Sequence, residues 1–185
     1  YILAKLKALT KRVRDSLTAY DLNTACVDCA EFLDILNNWY IRRSRARFWD
    51  GTDTHAFNTL YTVLTTLAEV MAPLMPMMCE YVWRGLTGGD SVHLTDYPNV
   101  AAWADETALC AQMDLVRQIS SVAKSVREEH HLRNRLPLRT MTVAGQGADM
   151  LAHFSDVLKD EVNVKDVALQ TTIDGVANTF LYLKT

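Results

Sequence analysis

Asn37 to Trp49 reads NNWYIRRSRARFW, a run that sets Arg42, Arg43, Arg45 and Arg47 between the aromatic pairs Trp39-Tyr40 and Phe48-Trp49. A guanidinium group donates two parallel hydrogen bonds to a phosphate, and an aromatic ring offers a face on which an unpaired base can stack. The chemistry this combination fits is contact with a nucleic acid. A plainer explanation competes with it, because cations at the C-terminal end of any helix are favourable against its dipole. Bulk charge does not decide between the two. The 185-residue chain carries a net charge of −3, so it is not a globally basic nucleic-acid binder and any such role must come from local patches. Five Lys/Arg fall in the segment from Lys5 to Arg14, the four arginines follow, and a third group comprises Arg127, Arg133, Arg135 and Arg139 around His130 and His131. Between Phe48 and Val116 the one Lys or Arg is Arg84. Three patches imply one oriented polyanion contact, with solvated helix ends as the bland reading of any single patch.

The elements that must position these residues are mostly helical. Ile2, Leu6, Leu9, Val13 and Leu17 recur at helical spacing. Asp21 is placed to cap a second, long helix from about Leu22 to Arg47, which Asp50-Gly51 breaks. Asp53 opens a third helix, Pro73 and Pro76 end it and start a short fourth, and Asp105 opens a fifth that reaches about His131. After Leu132 the pattern changes. Thr140 to Val143 alternates as a strand does, Ala148 to Leu158 is helical, and Val162 to Leu169 and Thr179 to Leu183 read as further strands. Gly145-Gln146-Gly147 and Asp174-Gly175 read as turns. The expected fold is therefore mostly α: a bundle of about five helices over residues 1–131, then a small α/β unit over 132–185. No apolar run is long enough to span a bilayer, and a cytoplasmic location is expected.

On a wheel of 100° per residue centred on Leu36, Arg43 and Arg47 fall within about a fifth of a turn of the buried face. Arg42 and Arg45 point away from it and are free to meet phosphate. Arg43 is expected to form a structural ion pair with a carboxylate, Glu69 or Glu80. Trp39 and Phe48 read as core, whereas Trp49 is the aromatic expected to reach solvent or a base. Cys26-x-x-Cys29 lacks a second ligand pair, and His130-His131 are sequence neighbours that point apart on a helix, so no metal site is expected. Met71, Met75, Met77 and Met78 read as core packing. No paired-carboxylate or Ser/His/Asp arrangement stands out, and no catalytic residue is assigned.

The segment Asn38-Trp39-Tyr40-Ile41-Arg42-Arg43-Ser44-Arg45, with Arg47-Phe48-Trp49, resembles the opening of the anticodon-binding region of isoleucyl-tRNA synthetases. Ala72-Pro73, Pro76, Glu80, Trp83 and Leu86 look like the proline–glutamate–tryptophan pattern shared by the class Ia synthetases, including the valyl, leucyl and methionyl enzymes. Ser91-Val92-His93-Leu94 with Tyr97-Pro98, and Asp160 to Lys165, are similar to two later segments of the same region.

The resemblance covers essentially the whole chain. It implies a module that binds and positions the anticodon stem-loop of the isoleucine-accepting tRNA, attached to catalytic and editing domains that lie outside this sequence. It implies no cofactor in this module; ATP and magnesium would serve the full-length ligase, with zinc elsewhere in it. The expected RNA-binding set is Arg42, Arg45, Arg47, Trp49, Arg133, Arg135 and Arg139. Two alternatives stand beside it: the same region of a valyl-tRNA synthetase, or a helical interaction module that braces the catalytic body and touches RNA little.

Overall fold

In α1 (Ile2–Thr18) the residues Ile2, Leu6, Leu9 and Val13 recur every three or four positions, which puts them on one buried face. The structure, a computed structural model, describes residues 1–145, 147–171 and 180–184, the last of these through their backbone. Gln146 and the Asp174-Gly175 turn lie outside the described residues. The chain is mostly α and divides into two compact units, Tyr1–Glu106 and Thr107–Thr185.

The first unit is a helical bundle. Asp21 caps α2 (Leu22–Asp34), accepting from the Thr24 amide at 3.0 Å. The same helix runs on through a π-helical stretch, Ile35–Ile41, into α3 (Arg42–Asp50), which ends at Gly51 in the left-handed conformation with φ 71°. Asp53 then caps α4 (Thr54–Met71) through the Ala56 amide at 2.9 Å. Pro76 begins α5 (Pro76–Thr87), where its missing N–H leaves no bond unmade. Leu6, Leu9 and Val13 meet Cys29, Phe32 and Leu36 from the second helix, Val63, Leu67 and Val70 from α4, and Cys79 from α5 in one core.

Two devices close this bundle. The carboxylate of Glu80 accepts from the Ser91 hydroxyl and the Val92 amide, both at 2.9 Å, which docks the short 3-10 turn Val92–Leu94. Trp83 Nε1 donates to Glu69 on α4 at 3.1 Å, tying α5 to its neighbour. A Cβ added at Gly89 would lie 2.5 Å from the Trp83 ring, so only glycine lets the chain pass there. The segment beyond is then strapped over α1. Arg14 donates to the Pro98 carbonyl at 3.0 Å and lies 4.7 Å over the Tyr97 ring, whose hydroxyl donates to the Thr10 carbonyl at 2.8 Å. Lys7 donates to the Trp103 carbonyl at 2.8 Å and sits 3.7 Å from Asp105, while Arg12 pairs with Asp28 at 3.1 Å. Lys7, Arg12 and Arg14 of the first basic patch are thus engaged by groups of the first unit itself.

The second unit opens with α6 (Thr107–Glu129), the helix counted with the bundle from sequence. It packs on the 3-10 turn Ala148–Phe154 and on α7 (Ser155–Val162), where Lys124 pairs with the buried Glu161. Strand β1 (Leu138–Ala144) is the middle of a three-stranded sheet. β2 (Val164–Gln170) runs parallel to it from Leu138↔Val164 to Ala144↔Gln170, and β3 (Phe180–Lys184) runs antiparallel from Thr140↔Lys184 to Ala144↔Phe180. A parallel pair needs a crossover, and the 3-10 turn with α7 supplies it. Asn163, left-handed at φ 56°, ends α7 and turns directly into β2. The stretch Ala148 to Leu158, expected to be one helix, divides into the 3-10 turn and the start of α7.

Leu9 is fully buried in the first unit's core. Leu9→Ala is expected to lower the free energy of unfolding by roughly 2–5 kcal/mol, through lost transfer energy and a residual cavity. Urea denaturation followed by circular dichroism measures it.

Candidate nucleic-acid interface

The arginine run is presented by a change of helical pitch. Phe32 and Leu36 are buried, Tyr40 is half-buried, Ser44 is buried and Phe48 is half-buried. Four-residue steps drift by about 40° each on a regular α-helix. The wider turns of Ile35–Ile41 absorb part of that drift, so Ser44 and Phe48 continue the inward stripe. This corrects the projection at constant pitch, which brought Arg43 and Arg47 to the buried face. Arg43 is half-buried with its guanidinium 5.3 Å over the Trp39 ring, a cation–π contact. Arg47 is exposed and its Nε donates to Asp53 Oδ2 at 2.7 Å. The two carboxylates considered as partners of Arg43 are engaged elsewhere: Glu69 accepts from Trp83, and Glu80 from Ser91 and Val92, with Arg84 at 3.9 Å.

Arg42 and Arg45 are exposed, as is Trp49, whose relative exposure is 90%. Arg42 Nε donates to the Asn38 carbonyl at 2.8 Å, which stands its guanidinium on the π-helical stretch behind it. Phe48 packs against Phe57 of α4 with ring centroids 5.6 Å apart, whereas its neighbour Trp49 points outward. The end of α3 is fastened by Asp53, which holds Arg47 and caps α4 at once. Hydrogen bonding from Arg47, with that from the Ala56 amide, keeps the Asp53 carboxyl below its ordinary value. The helix α3 therefore presents the exposed Arg42 and Arg45 and the exposed indole of Trp49.

In the second unit the third basic group divides. Arg133, Arg135 and Arg139 are exposed. Arg127, grouped with them from sequence, is fully buried and belongs to the fold. Its position follows the apolar stripe of Val116, Ile119 and Ala123 at helical spacing, a signal that charge alone hides.

The remaining candidates separate in the same way. Met71 is buried, but Met75, Met77 and Met78 are exposed, since the break at Pro73–Pro76 turns the start of α5 away from the core. Cys29 is buried and Cys26 exposed, and burial pushes the Cys29 thiol up to about 11. No group of three His, Cys, Asp or Glu is gathered to hold a metal among the described residues. Nor, among these residues, is any helix long and apolar enough to cross a membrane.

A helical bundle that carries an arginine-rich helix, followed by a small α/β unit, has the locally clustered exposed cations that a nucleic-acid-binding module needs. Comparison with known families narrows it. The family described as the anticodon-binding domain of tRNA ligase matches residues 1–142, and the chain belongs to that family. Its relatives include proteins named isoleucine–tRNA ligase. That of Corynebacterium efficiens is 51% identical over 178 residues, covering 95% of this chain and 17% of the relative. That of Leifsonia xyli subsp. xyli is 51% identical, covering 91% and 16%, and that of Mycobacterium leprae 45% identical, covering 94% and 16%. The chain thus spans about a sixth of the length of these relatives.

Asp53→Asn keeps a capping side chain but removes the charge that faces Arg47. The depressed carboxyl contributes stability that is complete above its ordinary value of 3.8 and is lost as pH falls through its lowered value. The substitution is expected to flatten this part of the acid limb of the stability curve and to leave the melt near neutral pH less cooperative around α3. Thermal melts across the acid range, compared with the unaltered chain, check it.

Proposed function

We propose that this chain is the anticodon-binding part of an isoleucine–tRNA ligase, and that it binds and positions the anticodon stem-loop of the isoleucine-accepting tRNA. The single observation that carries the reading is α3, on which Arg42, Arg45 and Trp49 all stand in solvent and whose last turn Arg47 ties to Asp53. Arg42 and Arg45 anchor phosphates; Arg47 adds its remaining guanidinium edge. Trp49 stacks on an unpaired base, a contact open only in a loop where bases are splayed out. Arg133, Arg135 and Arg139 supply further phosphate contacts from the second unit. Relatives that are identical to this chain at about half of the matched positions and are named isoleucine–tRNA ligase support the isoleucine acceptor over the valine one.

The ligation itself, with its ATP and magnesium, belongs to regions of the longer enzyme outside this chain, as does any zinc. Cys26 and Cys29, split between surface and core, do not fit a zinc ligand pair. A cytoplasmic site of action follows from that role. The exposed Met77 and Tyr81, with Met75 and Met78 beside them on α5, form an apolar face that supports contact with the catalytic and editing domains of the same enzyme.

Fluorescence anisotropy of a labelled isoleucine anticodon stem-loop, titrated at several salt concentrations against an altered-anticodon control, tests the proposal. Binding is expected to weaken steeply with salt. Arg42→Ala with Arg45→Ala is expected to weaken both RNAs alike and to lower the salt slope by about 1–2. Trp49→Ala is expected to cost about 1–3 kcal/mol with little change in slope, because stacking releases no counterions. Equal, salt-insensitive binding of both RNAs by all variants would overturn the reading.

A further inference from the structure

The buried Arg127 has no carboxylate partner among the described residues, and one amino group of its guanidinium, Nη2, is turned toward main-chain oxygens. Its Nη2 donates to the Arg133 carbonyl at 3.0 Å, to the Asn134 carbonyl at 3.4 Å, and to the Leu136 carbonyl. Nε and Nη1 are equally buried and have no hydrogen-bond partner. Burial draws the group below its ordinary value, a direction that records the cost of keeping a cation there. A side chain held at such cost and aimed at three carbonyls within four residues sets the path of that turn.

The surrounding backbone is fixed to match. His131 donates its amide to Glu128 at 2.9 Å and Leu132 donates to Arg127 at 2.8 Å, with His131 left-handed at φ 55°. These two bonds end α6 in a Schellman turn, a position where glycine is usual and histidine is strained. From the other side Asn163 Nδ2 donates to the Asn134 carbonyl at 3.1 Å, and the Leu138 amide donates to the Asn163 carbonyl at 3.1 Å. With the carbonyls of residues 133, 134 and 136 drawn inward, the side chains of Arg133 and Arg135 stand exposed on the outer side. Arg133 rims a cleft of about 590 Å³ that Ser121, Lys124, Ser125, Glu128 and His131 also line.

We infer that Arg127 is a positioning residue for RNA: it holds the 131–136 turn in the one shape that presents Arg133 and Arg135 together to backbone phosphates. The inference rests on the RNA-binding reading above and goes beyond it, because it makes the second unit's phosphate contact depend on a buried residue that touches no RNA.

The test is a double-mutant cycle on the salt slope of stem-loop binding. Arg127→Lys retains the charge but shortens the side chain, so its terminal nitrogen no longer occupies the place where Nη2 meets the three carbonyls. It is expected to lower the slope by about 1–2, as Arg133→Ala with Arg135→Ala does, and the combined variant is expected to lower it no further. Arg42→Ala with Arg45→Ala remains additive with all of them. Asn163→Gly keeps the left-handed backbone, removes the second tether on Asn134, and is expected to act in the same direction by a smaller amount, so the test stands even where Arg127→Lys unfolds the unit. Salt slopes unchanged by Arg127→Lys and Asn163→Gly, or additive with those of the Arg133/Arg135 pair, would show a purely structural brace and overturn the inference while RNA binding stands. Loss of salt-sensitive binding by the unaltered chain would instead sink the RNA reading, and the inference with it.

Discussion

The pitch of Ile35–Ile41 is the constraint on which the arginine surface depends. Wider hydrogen-bonded turns are rare because they open the helix axis and weaken contacts across it, so they persist where surrounding packing demands them. Here the demand comes from an inward stripe of Phe32, Leu36, Tyr40, Ser44 and Phe48 that keeps a four-residue step. Regular pitch would carry Phe48 away from Phe57 and bring charge toward the core. Because the pitch changes before Arg42 and not after it, the arginines beyond inherit a new phase. The density of positive charge in the run is set by composition, but which cations meet solvent is set by geometry several residues upstream.

Asp53 and Glu80 show how single carboxylates organise the bundle around that helix. Each accepts hydrogen bonds from backbone and side chain together: Asp53 from the Ala56 amide and Arg47, Glu80 from the Val92 amide and Ser91. Charge-assisted bonds of this kind are stronger than neutral ones and hold two segments to one point. Asp53 thereby fixes the end of α3 to the start of α4 across the Gly51 turn. Glu80 fixes the chain beyond Gly88-Gly89 to α5, from which the strap over α1 follows. The proline, glutamate and tryptophan of the class Ia pattern are thus helix start, loop anchor and helix tie respectively. None of the three needs to touch a ligand to be required.

Much of this was legible in the sequence. Asp21 and Asp53 as caps, Pro76 as a helix start, the helical stripe of α1, and the change of character after Leu132 all rest on local rules, and the structure follows them. Exposure of Trp49 was readable too, from its place at a helix end. What escaped was non-local. No propensity marks a π-helical stretch, because its cause is packing against another helix. Arg127 was grouped by charge with its neighbours, although its spacing from Ala123 and Ile119 already placed it on the inward face. Lys7 and Arg14 gave no sign of their carbonyl partners more than eighty residues away. The outward methionines of α5 follow from how the Pro73–Pro76 break reorients a helix, which composition does not encode.

The two kinds of arginine in this chain illustrate one energetic rule. A guanidinium in solvent loses little on meeting a phosphate, since both ions exchange water and counterions for each other and the released ions drive the contact. A guanidinium in the interior has already lost its water, and its donors are worth most where they meet main-chain carbonyls. Arg42, Arg45, Arg133 and Arg135 are of the first kind, and Arg127 is of the second. Exchanging their environments would fail in both directions: a buried phosphate-binding arginine would have nothing to release, and a solvent-exposed brace would yield its carbonyls to water. The placement of each arginine, more than its presence, is therefore what a polyanion-binding surface on a mildly acidic protein requires.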